Sequence, residues 1–361
     1  MILTIILTLK DRSAFTYRWM QYMNDMRCPY KILIADGGKD QEIEQNLRCA
    51  ANYPNLNYAY VRYPYDAGLD DFLTKLENII SRVQTPYLLQ ADNDDFFLLD
   101  KIPAILAHLD SYPDCFGARG QIVNFEVFDK TGSSKGVSSG SRYHAVSRRV
   151  HSIEMESDFE RVEVLCRDMS KYDYYANWYC VFRSSQLQAL WKELHSLSIN
   201  EMIVFEILTL VMTAQKGKIH ILPEPFYLRQ SNTSEFGDTL VVGNEFLERC
   251  LTNNTLAKFS EAIQKLQPEL GEAGRHRLLK AIAGWLEVFV SNIYQTKTRR
   301  TSSGKCWRRN IKAMPLLGTA LRLMYVGSAS LFGSGQQRKM LRFKSIEPYI
   351  VEGKVWKKVV P

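Results

Sequence analysis

The first 127 residues alternate between two hydrophobic periods, and that alternation leaves few folds open. Residues 2–9 are a continuous apolar run ended by Lys10, Asp11 and Arg12. Phe15, Trp19, Tyr22, Met23 and Met26 then recur at helical spacing, with Ser13 as the expected N-cap. The same pairing repeats. Strands are predicted over 30–35, 56–61 and 86–91, and helices over 40–51, 70–83 and 100–109, the last capped by Asp100. Apolar strands separated by helices of about ten to fifteen residues predict βαβ units in an α/β fold, a mostly parallel sheet with helices on both faces.

In such a sheet ligands bind beyond the carboxyl ends of the strands. The polar clusters fall there: Thr8–Arg12 after strand one, Asp36-Gly37-Gly38 after strand two, Tyr65-Asp66-Ala67-Gly68 after strand three and Asp92–Asp95 after strand four. Neither Gly-x-Gly-x-x-Gly nor Gly-x4-Gly-Lys-Ser/Thr occurs, which argues against a dinucleotide fold and a P-loop ATPase. Further along, 128–160 reads as an insertion with a flexible Ser/Gly run and with His144 and His151. Residues 172–182 are aromatic and strand-like. Helices are predicted over 184–195 and 200–216, the second closed by Gly217. Short strands follow at 218–222 and 226–229, separated by Pro223-Glu-Pro225, and helices at 244–266 and 274–295.

Composition narrows the function. With 46% apolar residues over 361 positions the chain is no disordered segment and has length for about two domains. No apolar run reaches the roughly 20 residues that span a bilayer. The opening run lacks a basic start and a small-residue cleavage site, so a first strand is expected rather than a signal peptide. Seven cysteines without a Cys-x-x-Cys pair predict reduced, mostly buried thiols and a cytoplasmic location.

Asp92, Asp94 and Asp95 end a buried strand. Crowded carboxylates repel unless a cation sits among them, and Mg or Mn takes one or two carboxylates plus substrate phosphates. Asp92 and Asp94 are therefore candidate metal ligands, against the plainer reading of a solvated acidic turn. Lys10, Arg12, Lys75 and Arg229 are candidate phosphate partners, with Lys75 equally readable as a surface lysine. Trp178 and Tyr179 suit either core packing or sugar stacking.

These stretches together resemble the GT-A glycosyltransferases, specifically family-2-like bacterial enzymes. The likeness lies in Thr8-Leu-Lys-Asp-Arg12, Ile34-Ala-Asp-Gly-Gly38, the run from Thr85 through Asp92-Asn93-Asp94-Asp95 to Phe96, and Glu206 with Gly217. It covers about residues 1–230, the expected nucleotide-sugar-binding and catalytic domain. It implies that Asp36 accepts from uracil or ribose and that Thr8 and Arg12 line the base pocket; with Lys10, Asp66, Lys75, Asp92, Asn93 and Arg229 they make up the expected donor site. It further implies a divalent metal on Asp92 and Asp94 and a catalytic base at Glu206. The family's usual Glu-Asp pair is Phe205-Glu206 here, which keeps Glu201 as a rival base. The implied reaction is inverting transfer of a sugar, UDP-linked by likeness, to a glycan or lipid-linked acceptor in assembling a bacterial surface polysaccharide such as O-antigen or capsule.

Two other classes compete. A Mg-dependent nucleotidyltransferase would use the same sheet edge, but it usually carries a glycine-rich basic loop after strand one, where this chain has none. A non-catalytic transferase-like adaptor is the other, and intact Asp92, Asp94 and Glu206 speak against it.

The remaining residues, 231–361, are expected to form a helical C-terminal region. Residues 297–344 hold twelve Lys or Arg and no Asp or Glu, so the rest of the chain carries −5 of the net +7. Trp307, Leu316, Leu317, Leu321 and Phe332 interleave with these charges. That pattern fits peripheral contact with an anionic membrane surface, on the inner face of the cell membrane, against a solvated helical cap. Nucleic acid is not the expected partner.

Overall fold

The computed structural model describes residues 1–133, 136–147, 149–167, 178–199, 201–231, 233, 257, 261, 272–274, 276, 277, 280 and 341–351. The helices expected over 244–266 and 274–295 and the basic stretch 297–340 fall largely or wholly outside them.

The strands are β1 (Leu3–Leu9), β2 (Lys31–Asp36), β3 (Tyr58–Arg62), β4 (Tyr87–Asp92), β5 (Phe96–Phe97), β6 (Cys115–Phe128), β7 (Arg142–Ser147), β8 (Val181–Arg183) and β9 (Lys218–Gln230). The helices are α1 (Ser13–Asp25), α2 (Gln41–Arg48), α3 (Leu69–Ser81), α4 (Ile102–Ser111), α5 (Asp158–Arg167), α6 (Ser184–Ser196), α7 (Met202–Lys216) and α8 (Glu347–Ile350). All nine strands join one sheet, in the order β3-β2-β1-β4-β8-β6-β9-β5, with β7 paired to β6. β1 to β4 are parallel, and β6 is parallel to β9. β8 runs antiparallel to both β4 and β6. The fold is α/β, with a mixed, mostly parallel sheet.

Both faces are covered, which is why the inner strands are apolar at consecutive positions. Leu3, Ile5, Leu7 and Leu9 of β1 pack with α1, α2 and α4. Ile6, Leu33 and Leu88 pack on the other side with α3, α5, α6 and α7. Cys28, Cys115 and Cys180 are buried and reduced, and burial pushes their thiols up to about 11, 11 and 12.

Four local expectations are corrected. Ser13 does not cap α1. The N-cap position is Arg12, in a left-handed backbone (φ 63°) without a side-chain cap. Asp100 lies in a 3₁₀ turn, and Lys101 takes the N-cap position of α4. β9 is one strand through Pro223 and Pro225, since bulges in its pairing with β6 spare the N–H groups that proline lacks. The stretch read as an insertion supplies β7 and the start of α5, and Ile153 bridges to Ile219.

Residues 341–351 pack into the same core as the N-terminal helices. Ile346 and Ile350 are fully buried and Tyr349 nearly so. Tyr349 donates to Asp25 at the end of α1 (2.8 Å), and the Phe343 amide donates to the Tyr143 hydroxyl on β7 (2.7 Å). No helix of the described residues is long and apolar enough to cross a membrane.

Candidate functional site

The chain runs from β1 outward to β2 and β3, then returns to place β4 on β1's other side. In such sheets ligands usually bind at the carboxyl ends of strands where the order reverses, here β1 and β4. Thr8 and Asp92 are register partners there. The Thr8 hydroxyl donates to Asp92 Oδ1 (3.4 Å) and the Tyr179 hydroxyl to Asp92 Oδ2 (2.9 Å). Two residues on, Asp94 Oδ2 accepts from Arg12 (2.9 Å) and from Thr233 (2.6 Å). Asn93 between them is buried and donates to Thr16 (3.0 Å).

Behind this turn lies a buried polar network. Tyr179 stacks on Tyr227 with ring centroids 3.8 Å apart. Tyr227 donates to Asp95 Oδ2 (2.6 Å), and the Gln230 amide donates to Asp95 Oδ1 (2.7 Å). Arg18 of α1 is fully buried and donates to the Asp94 carbonyl (2.6 Å), Gln230 Oε1 (2.8 Å) and the Ser138 carbonyl (2.6 Å). Burial draws the Arg18 guanidinium down to about 9 while Asp94 and Asp95 act the other way, so it is charged at neutral pH. Burial, then Asp94 and Asp92, push the Asp95 carboxyl well above its ordinary range. Arg229 on β9 is half-buried, and its charge opposes that push on Asp95 and the one on Tyr179.

Towards β3 the loops pack closely, Gly37 against a side chain and Gly38 against backbone. A Cβ on Gly37 would lie 2.2–2.5 Å from the Asp66 carboxylate, and one on Gly38 would lie 2.5 Å from the Asp11 nitrogen. Glycine is thus required by close approach at both places. Asp36 is 1% exposed. It accepts from Gly38 N (2.8 Å), the Tyr60 hydroxyl (2.6 Å) and Arg62 (2.7 Å), so three of its acceptor positions are filled from within the protein. Lys75 is also 1% exposed, paired with Asp66 and donating to the Leu9 carbonyl (3.0 Å). It is no surface lysine. Lys10 instead lies over the Tyr65 ring, 5.0 Å from its centroid.

Glu201 occupies the N-cap position of α7 and is 4% exposed, while Glu206 lies within the helix and is half-buried. Rings tie that helix towards the acidic turn: Phe205 to Trp191 (5.7 Å), and Trp191 to Trp178 (5.6 Å), the neighbour of Tyr179.

Among the described residues no three His, Cys, Asp or Glu side chains converge as a ready-made metal cage. The donor set still fits a hard divalent ion. Asp92 and Asp94 offer carboxylate oxygens from one turn, and such ions complete their shells with phosphate and water. Sequence reasoning passed over Arg18, Tyr227, Gln230 and Thr233. Arg18 left one trace, a cation within the apolar stripe formed by Phe15, Trp19 and Tyr22.

No protein-family model matches the chain, and no curated protein sequence does. Similar solved structures include S. aureus TarS 1–349 in complex with UDP-GlcNAc, at 12% identity and TM-score 0.47, covering 79% of this chain and 72% of that one. The UDP complex of the same protein gives TM-score 0.48 at 12% identity, covering 79% and 71%. The mannosyltransferase PcManGT from Pyrobaculum calidifontis, in complex with GDP-Man and Mn2+, gives TM-score 0.41 at 11% identity, covering 84% and 82%. These are likenesses of chain course.

Proposed function

We propose that the chain is a GT-A glycosyltransferase of the family-2 pattern, metal-dependent and inverting. In this reading it moves a sugar from a nucleotide-diphosphate sugar, UDP-linked, to a hydroxyl of a glycan or lipid-linked acceptor. The observation that carries the reading is the meeting of Thr8 and Arg12 with Asp92 and Asp94 at the carboxyl ends of β1 and β4. Two carboxylates and a guanidinium at a strand-order reversal suit a diphosphate better than a neutral ligand.

Asp92 and Asp94 would hold Mn or Mg, which when bound would supply Lewis-acid neutralisation of the departing diphosphate. Arg12, Lys10 and Arg229 bring positive charge to the phosphates. Thr8 and Asp36 stand at the nucleoside end, while Asp66 and Lys75 shape its floor from below. Glu206 takes the proton of the acceptor hydroxyl as that oxygen bonds to the anomeric carbon. The bond to the diphosphate breaks with its electron pair left on the phosphate oxygen. One displacement inverts the configuration. Glu206 is preferred to Glu201 because a carboxylate 4% exposed offers an acceptor little access.

A thermal-shift panel of UDP, GDP, TDP and CMP sugars, with and without Mn, tests the reading. One nucleotide class raises the melting temperature with Mn, and Asp92→Ala with Asp94→Ala removes the Mn-dependent part. Glu206→Gln keeps the shift and loses transfer by at least about 10²-fold. A panel with no Mn-dependent shift overturns the proposal.

A further inference from the structure

The cation paired with the Asp94 carboxylate belongs to the chain itself. Arg12 Nη2 lies 2.9 Å from Asp94 Oδ2, and the arginine side chain is 29% exposed against 9% for the aspartate. The arginine is thus the more exposed partner of the pair, on a carboxylate oxygen that Thr233 also holds. Its place is fixed from several directions. Its flat face lies over the Phe15 ring, 4.4 Å from the centroid. Its carbonyl accepts from the Phe15 and Thr16 amides as α1 begins. Asp11 and Arg12 are both left-handed (φ 57° and 63°), which non-glycine residues adopt only when the surroundings insist. Asp11 Oδ1 provides that insistence by accepting from the Lys39 (2.6 Å) and Asp40 (3.2 Å) amides. The loop is built to aim Arg12 at Asp94.

A divalent ion ligated by Asp94 and a guanidinium on the same carboxylate would repel each other at a few ångströms. A diphosphate offers the guanidinium a better partner, with paired oxygens in the geometry an arginine fork matches. We propose that Arg12 is a resident counter-ion: it closes the acidic turn to a divalent cation until a diphosphate draws it away, making metal binding conditional on nucleotide. This rests on the metal assignment proposed above. It adds that the two ligands are coupled through one side chain, and such coupling is reciprocal.

Mn2+ binding to the full chain, followed by loss of the free-ion electron paramagnetic resonance signal, tests this without turnover. With no nucleotide, Arg12→Gln binds Mn2+ about tenfold more tightly than the unaltered chain. Adding UDP or GDP tightens Mn2+ about tenfold or more in the unaltered chain and only a few-fold in Arg12→Gln. Arg12→Lys, which keeps the charge, stays near the unaltered chain. Equal or weaker Mn2+ affinity in Arg12→Gln overturns the proposal. So does Mn2+ binding in the unaltered chain that ignores nucleotide, a measurement that needs no variant to fold. Asp94→Asn separates the two ideas. If it abolishes Mn2+ binding while Arg12→Gln changes nothing, only the counter-ion role fails. If Mn2+ binding survives Asp94→Asn, or is absent throughout, the metal assignment falls with it.

Discussion

Asp95 has little room to ionise: it is buried beside two other carboxylates, and its native carboxyl is held well above the ordinary 3.8. A carboxyl raised by folding favours the native state while protonated. Its contribution is fully present below the ordinary value and is lost as pH rises through the raised one. Asp95→Asn removes that dependence, and an amide can still accept from the Gln230 amide and donate to Tyr227. The melting temperature of Asp95→Asn relative to the unaltered chain is expected to climb as pH rises above the ordinary carboxylate value. A flat difference across that range would assign the ionisation cost elsewhere. At the same scale, Tyr179 and Tyr227 remain protonated donors because burial and the neighbouring carboxylates raise both hydroxyls. Their hydroxyls are what orient Asp92 and Asp95.

Between elements, the tie joining β1, α3 and the loop after β3 is the buried pair of Lys75 and Asp66. Such pairs are costly to break singly and cheap to replace together. Lys75→Met alone is expected to cost about 3–5 kcal/mol in urea denaturation, and adding Asp66→Asn to return most of it. Purely additive losses would show that the pair is not a unit. This tie also marks what the sequence could and could not reveal. β1 to β4 were legible because unbroken apolar runs end in polar turns, and Thr8, Asp92 and Asp94 were legible because those turns sit at strand ends. Lys75 reads in sequence as one lysine on an amphipathic helix, and only the packing of three elements buries it. Thr233 reaches Asp94 from 139 residues away and Tyr179 reaches Asp92 from 87, separations at which local pattern is silent. The two prolines of β9 misled for a related reason. A proline breaks an ideal ladder, but β9 itself bulges against β6 where it carries them, and that register is set by pairing with a strand about 100 residues away.

At the scale of the molecule, the segment 341–351 lies with α1 and β7 rather than apart from them. Removing 341–361 strips Ile346, Tyr349 and Ile350 from the core and is expected to lower unfolding stability by at least about 4.5 kcal/mol, at about 1.5–3 kcal/mol for each large apolar side chain. Replacing 297–340 with a Gly/Ser linker of equal length keeps that packing. It is expected to reduce sedimentation with anionic vesicles. Equal pelleting would release the basic stretch from any membrane role. The two edits together separate the fold's own cement from its charge. The chain leaves the sheet beside Thr233, which grips Asp94, and comes back to dock on the helix whose Arg18 grips the same residue's carbonyl. What reads along the sequence as a tail is therefore tied to the sheet-bearing body at two separate places, Thr233 on Asp94 and Tyr349 on Asp25. Loss of the first tie would be read at the acidic turn, and loss of the second at the end of α1.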